Sequence, residues 1–259
     1  MPKHALLITL LVSFMTVAAV PAGAQVTGPG DTESLQLPPK LGITVVYYTQ
    51  DQKYDISRLA FEFPGIDPTE VDGLDVDNTT QTLHAQVDYW LLPFLNVFGL
   101  LGTIDGTTNV NLSILELGLP IPLDNVRVRY EGTMYGLGFT LAGGWDSFFG
   151  SLTYEYTNTD LDVTTTDVKA WVATIKAGMT FESGVVWIGT MYQSVDETDT
   201  GVFSIPYLGE IPFEVKLKAK DPWNLVMGAS LGMGRHWVGT VEVGALGRTS
   251  LLASLGYRF

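Results

Sequence analysis

Beyond residue 80 the chain alternates between large apolar and small or polar residues with a period of two. In 134–145, Tyr135, Leu137, Phe139, Leu141 and Trp145 alternate with Gly136, Gly138, Thr140, Ala142 and Gly144. Successive side chains of a strand point to opposite faces, so each strand has one bulky apolar face and one small one. The same pattern sets Leu152, Tyr154 and Tyr156 against Ser151, Thr153, Glu155 and Thr157. It recurs in 168–181 (Trp171, Ile175, Met179 and Phe181 against Thr174, Lys176 and Gly178) and in 223–233 (Trp223, Leu225, Met227 and Leu231 against Asn224, Gly228 and Ser230). A soluble sandwich also alternates, but its outward face carries Lys and Glu. Here the small-residue faces are nearly uncharged. The pattern predicts strands with one face in lipid and the other toward a lumen.

Connection lengths give these strands a direction. Short links at Pro93-Phe94-Leu95, Asp146-Ser147-Phe148, Glu182-Ser183-Gly184 and Gly234-Arg235-His236 alternate with long polar ones at 51–79, 105–131, 158–167 and 196–221. Only the link around Gly247-Arg248 is a brief outer one. Bacterial outer-membrane barrels have short periplasmic turns and longer extracellular loops. The predicted fold is therefore all-β, a transmembrane antiparallel up-and-down barrel of ten strands, within a range of eight to twelve. The strands are placed at 41–50, 80–91, 96–105, 132–145, 149–160, 168–181, 185–195, 222–233, 237–246 and 249–259. Segment 56–63 is an alternative first strand. Segments 110–130 and 202–219 are candidates for hairpins above the membrane or for two further strands. Trp90, Trp145, Trp171, Trp223 and Trp237 fall near strand ends, where two aromatic girdles are expected.

Composition sharpens this picture. The chain has 259 residues, 46% hydrophobic and 11% aromatic, with a formal net charge of -14. Past the first 24 residues it has no apolar run of the roughly 20 residues that a transmembrane helix needs. Scattered Lys and Arg, 14 in all against 28 acids, argue against nucleic acid as a partner, since phosphate binding needs clustered cations. The absence of cysteine removes disulfides, thiolate metal sites and thiol nucleophiles. Residues 1–24 read as a cleaved signal peptide: Lys3 and His4, an apolar stretch from Ala5 to Val20, then Ala22 and Ala24 at the positions a signal peptidase reads. Residues 25–40, with Gly28-Pro29-Gly30 and Pro38-Pro39, read as an irregular periplasmic lead-in to a single barrel domain at 41–259.

The ending Leu255-Gly256-Tyr257-Arg258-Phe259 resembles the C-terminal signal by which the outer-membrane assembly machinery recognises its barrels, with Tyr257 and Phe259 as its aromatic pair. The segment Asp88-Tyr89-Trp90-Leu91-Leu92-Pro93-Phe94-Leu95-Asn96-Val97-Phe98-Gly99-Leu100-Leu101-Gly102, with Leu141-Ala142-Gly143-Gly144-Trp145 and the same ending, resembles a family of uncharacterised Gram-negative outer-membrane β-barrel proteins. The resemblance implies a barrel in the outer membrane, with lipid, lipopolysaccharide and the assembly machinery as partners. It supplies no activity. A fainter internal echo links Ile121-Pro122 and Val126–Arg129 with Ile211-Pro212 and Val215–Lys218.

Candidate chemistry is sparse. Alternation places His84, Gln86 and Asp88 in the lumen, together with Glu155, Lys176, Glu242 and Arg258, and Lys176 is expected to meet Glu155 on the adjacent strand. A lumen-facing histidine is wrongly placed for the Ser–His pair of an outer-leaflet hydrolase, and no serine stands in a G-x-S-x-G context. No enzyme and no cofactor are expected. Asp72, Asp75 and Asp77 in the acidic stretch 51–79 offer oxygen ligands for Ca²⁺, but the glycine and distal glutamate of an EF-hand are missing. A solvated acidic loop is the plainer reading. Small luminal residues (Gly136, Gly138, Ala142, Gly178, Gly228, Gly232) leave room for water. Ten strands lie nearer the filled limit of about eight than the open channels of 16–18. The expected function is a narrow passive pore or a structural surface protein, with adhesion through the long loops as the alternative and an outer-leaflet lipid-modifying enzyme behind it.

Overall fold

The computed structural model describes residues 39–61, 75–110, 126–162, 168–196, 198–205 and 209–259, and every regular element among them is a strand. In chain order these are β1 (Leu41–Phe61), β2 (Asp75–Leu92), β3 (Leu95–Val110), β4 (Val126–Trp145), β5 (Phe148–Leu161), β6 (Val168–Phe181), β7 (Gly184–Asp196), β8 (Thr198–Ile205), β9 (Gly209–Ala219), β10 (Trp223–Met233), β11 (Trp237–Ala245) and β12 (Arg248–Arg258). The proposed signal peptide at 1–24 and most of the lead-in at 25–40 lie outside the described residues.

Ten of these strands close on themselves. Neighbours pair antiparallel from β1 through β7, then β7 pairs with β10, β10 with β11, β11 with β12, and β12 returns to β1. The seam runs in unbroken register from Gly42 opposite Arg258 to Gln52 opposite Arg248. One hydrogen-bonded circuit climbs about twelve residues along β1, which for ten strands means a tilt of about 40° and a backbone radius of about 10 Å. Inward side chains from opposite walls therefore meet near the axis.

Burial is inverted relative to a soluble barrel. The outward set includes Leu83, Leu101, Leu137, Ile175, Ile188, Met227, Val241 and Leu255, all exposed. The inward set includes Gln50, Gln52, Thr80, Thr82, His84, Gln86, Asp88, Glu155, Lys176 and Glu242, all buried. Leaving an apolar exterior in water would forfeit about 25 cal/mol for each Å². An apolar belt about nine residues long on each tilted strand is about 23 Å tall, close to the ~25 Å band of a transmembrane barrel. The wall therefore crosses a bilayer. Trp171 packs at a tilt against Tyr156 and Tyr154, and Trp223 edge-on against Tyr192, toward the long-loop end; Tyr257 meets both Trp237 and Phe259 edge-on at the other.

The wall is uneven in height, and this corrects the predicted boundaries. β1 carries both candidate first strands, because 41–50 continues without a break to Phe61. Together with the early start of β2, this removes 51–61 and 75–79 from the predicted loop 51–79. β3 and β4 likewise extend into the predicted loop 105–131. Within 196–221, β8 and β9 form a hairpin, and β9 takes over β1 from Tyr54 to Phe61, above the point where β12 stops. The internal echo is not a structural repeat. Val126–Arg129 belongs to the same strand as Trp145, whereas Val215–Lys218 lies in β9 and a turn separates it from β10.

Candidate functional site

The lumen is a packed polar core in tiers, and glycines make its bridges feasible. At the periplasmic end Asp88 on β2, Gly42 on β1 and Arg258 on β12 stand in one cross-strand row. Arg258 reaches over Gly42 to Asp88, Nη2 to Oδ2 2.7 Å. Asn96 Nδ2 donates to the same oxygen at 2.7 Å, and Arg258 Nη1 donates to the Pro39 carbonyl at 3.1 Å. A Cβ on residue 42 would lie 2.4 Å from Asp88 Oδ1, so only glycine leaves the bridge its path.

The next tier repeats the device. Trp187, Gly228 and Glu242 form a row on β7, β10 and β11. The indole lies across Gly228 and donates from Nε1 to Glu242 Oε2 at 2.7 Å. Lys176 crosses from β6 to the same carboxylate and sits 5.0 Å above the Trp187 ring. The expected Lys176–Glu155 pair is therefore not formed. Register sets Lys176 opposite Ser151 and Glu155 opposite Val172, which separates the two side chains by four residues, about 13 Å along the strands. Neither oxygen of the buried Glu155 has a hydrogen-bond partner, and neither nitrogen of His84 has one. Gln86 is buried on the same face of β2 with its Oε1 unpartnered.

Level with His84 and Glu155, which stand opposite Val46 and Val172, lies an apolar cluster of Val46, Tyr48, Val172, Met191, Val226 and Leu252, drawn from five strands. Higher still Arg248 Nη1 donates to Gln193 Oε1 and, at 3.4 Å, to Gln52 Oε1. The Tyr48 and Tyr54 hydroxyls donate to Gln50 and Gln52 at 3.0 and 2.9 Å. Asn224 Oδ1 accepts from the backbone of Gly247 and Arg248. Toward the mouth Tyr130 donates to Asn78 at 3.0 Å.

Three expectations need correction. Trp90 is 4% exposed and points into the lumen, so it is no girdle residue. Its even number places it on the face of His84, Gln86 and Asp88, and the strand irregularity comes only after it. Trp145, Trp171, Trp223 and Trp237 do face outward. Second, the small luminal residues do not leave open space. Neighbouring rings fill most of it: Phe98 covers Gly138, Phe149 covers Gly178 and Trp187 covers Gly228. Third, Asp75 and Asp77 lie in strand β2 rather than in a loop, with Asp77 exposed, while Asp72 lies outside the described residues. Among the described residues no three His, Cys, Asp or Glu side chains gather as metal ligands.

Just above the belt, the outer wall carries an acidic recess of about 750 Å³ that includes Asp105, Glu131, Asp160 and Asp162. Sequence reasoning missed Trp187, Arg248 and the luminal glutamines other than Gln86. Trp187 and Arg248 could have been found by parity, since each lies an even number of residues from a luminal neighbour on its own strand.

No family model matches the chain, and no curated protein matches it. Solved structures with a related arrangement include an outer membrane channel from Pseudomonas putida F1 (12% identity, 90% of this chain and 100% of that one, TM-score 0.40). They also include the translocator domain of autotransporter NalP from Neisseria meningitidis (13%, 85% and 88%, 0.38). A third is the toluene transporter TbuX of Ralstonia pickettii (12%, 85% and 90%, 0.38). At this level of likeness the fold rests on the chain's own strand pairing, a closed ten-stranded antiparallel barrel turned apolar side out.

Proposed function

We propose that the chain is an integral barrel of a Gram-negative outer membrane that works as a narrow passive pore, held closed at rest by its own luminal side chains. The observation that carries this reading is the polar filling of the lumen, from Asp88 and Arg258 at one end to Arg248 and Asn78 at the other. A barrel with a purely structural role gains nothing from it, because an apolar filling of equal volume is as stable or more so. The apolar cluster of Val46, Tyr48, Val172, Met191, Val226 and Leu252 narrows the polar path at the level of His84 and Glu155, and an apolar constriction gates by excluding water. Planar-bilayer recording should give small, infrequent steps from the wild type and larger ones from the double variant Val172→Ala, Leu252→Ala. Silence from both over a wide range of salt would refute the pore.

A second reading, surface binding, is favoured by the uneven wall: β1 to β4 and the β8–β9 hairpin rise above the belt as a continuous sheet. Deleting 198–219 should then abolish surface binding and leave the barrel folded. In either reading the partners are outer-membrane lipid around the belt and lipopolysaccharide at the level of the acidic recess. The assembly machinery is read to engage the last strand through Tyr257 and Phe259. We read the chain as non-enzymatic. The inward placement of His84 supports this, as does His236 Nδ1 lying 2.8 Å from the Arg258 carbonyl oxygen rather than beside a serine.

A further inference from the structure

We propose that Arg248 and the amide side chains around it form a binding site, near the extracellular mouth of the lumen, for an oxyanion that presents two parallel oxygens, a carboxylate or a phosphate group. The assignment stands whether or not the barrel conducts.

Arg248 is 3% exposed, and no carboxylate among the described residues pairs with it. Its Nη1 is engaged by Gln193 and Gln52, while Nε and Nη2 have no partner. Those two nitrogens form the edge of the guanidinium whose N–H bonds run parallel, the edge that grips a carboxylate or phosphate with two hydrogen bonds. A buried charge left so is costly unless something supplies the opposite one.

The surroundings point to the same ligand. Arginine and backbone N–H groups only donate, so the oxygens of Gln52 and Asn224 must face them and their NH₂ groups must face elsewhere. Gln50 and Asn78 likewise accept from hydroxyls through their oxygens. Besides the two-way hydroxyls of Thr82 and Thr108, what remains unpartnered is Gln50 Nε2, Gln52 Nε2, Asn78 Nδ2 and Asn224 Nδ2, beside Arg248 Nε and Nη2, six nitrogens in all. All six are donors. Water can accept from two of these donors but finds among them no acceptor for its own protons, whereas an oxyanion only accepts, and a cation is repelled by the set. Register makes the cluster local, because Asn78, Gln52 and Arg248 are direct cross-strand neighbours on β2, β1 and β12. The acids at this level, Asp51 and Asp77, are odd-numbered neighbours on the same strands and project outward. The oxyanion therefore arrives from outside, and the flexible glutamines turn onto it.

The test uses the full chain folded in detergent free of lipopolysaccharide. Its thermal midpoint would be followed while acetate or inorganic phosphate replaces chloride at fixed pH and ionic strength. We expect a saturable rise of several degrees in Tm with at least one of the two oxyanions, absent with chloride. Arg248→Lys, which keeps the charge and loses the fork, should weaken that response at least tenfold, and Arg248→Gln should abolish it. Gln52→Glu places a carboxylate beside the guanidinium, so it should raise the basal Tm and remove the response. This variant reads the site even if the arginine variants fail to fold. A response equal in chloride, one retained in Arg248→Gln, or a Tm lowered by Gln52→Glu would each overturn the proposal. So would a rise seen only when lipopolysaccharide is added, which would make the ligand a lipid headgroup. Conductance is not read here, so failure of this site and failure of the pore remain separate results.

Discussion

At the periplasmic end of the lumen Arg258 lies over Gly42 against Asp88, with Asn96 completing the carboxylate's shell. At the extracellular end Arg248, just as buried, meets only the amide oxygens of Gln193 and Gln52. The two arginines belong to the same strand and face the same lumen. One is a finished cross-brace; the other has two of its five N–H donors in hand. A buried ion pair whose charges satisfy each other can be a permanent part of the wall. A buried cation facing neutral dipoles is a place where something from outside completes the structure. Lys176 with Glu242 belongs with the first kind.

The largest expected effect comes from breaking the finished brace. Asp88→Ala strands Arg258 and should cost about 3–5 kcal/mol in urea unfolding of the detergent-folded barrel. The double variant Asp88→Ala, Arg258→Met should recover much of that loss. If the single and double variants lost the same amount, the pair would not be a coupled unit. Next comes the glycine that lets the brace pass. Gly42→Ala drives a methyl into Asp88 and should cost about 1–3 kcal/mol by the same measurement. The unpaired carboxyl should behave in the opposite way. Glu155→Gln removes no partner and should leave stability within about 1 kcal/mol of wild type or raise it; a loss like that of Asp88→Ala would erase the distinction between paired and unpaired groups. The smallest effect lies outside the lumen, at the β11–β12 turn. Leu246 holds a φ of 85° with its side chain 85% exposed. Leu246→Gly should relieve about 1 kcal/mol of left-handed strain, seen as a small rise in Tm.

Period-two alternation made the membrane-facing wall readable in advance, because each outward position from Tyr135 to Trp145 meets lipid whatever its neighbours do. Parity also sorted His84, Asp88, Lys176 and Arg258 inward. Parity says nothing of partners, however. Lys176 bonds Glu242, three strands away round the barrel, because the radius is short and Gly189 and Gly228 clear the way; no reading of adjacent strands finds such a chord. The upper ends of β1 and β2 were illegible for a different reason. Above the belt the outward face meets water, apolar residues are no longer needed there, and Lys53 and Asp77 look like a loop while the backbone ladder continues. Trp90 was misplaced by weighing its residue type over its parity.

Gly42 has one more consequence, and it concerns the order of events in folding. β1 and β12 lie at opposite ends of the barrel sequence, so their seam is among the most non-local contacts in the chain, the kind that forms late and slowly. Because the Arg258–Asp88 brace leaps over β1, it can form only once β12 has docked on β1 and β1 on β2, in the correct register. A slip of one residue would turn Arg258 to the outside and Leu255 to the inside. The brace thus checks closure across three strands at once, and the barrel gains it only on becoming a ring.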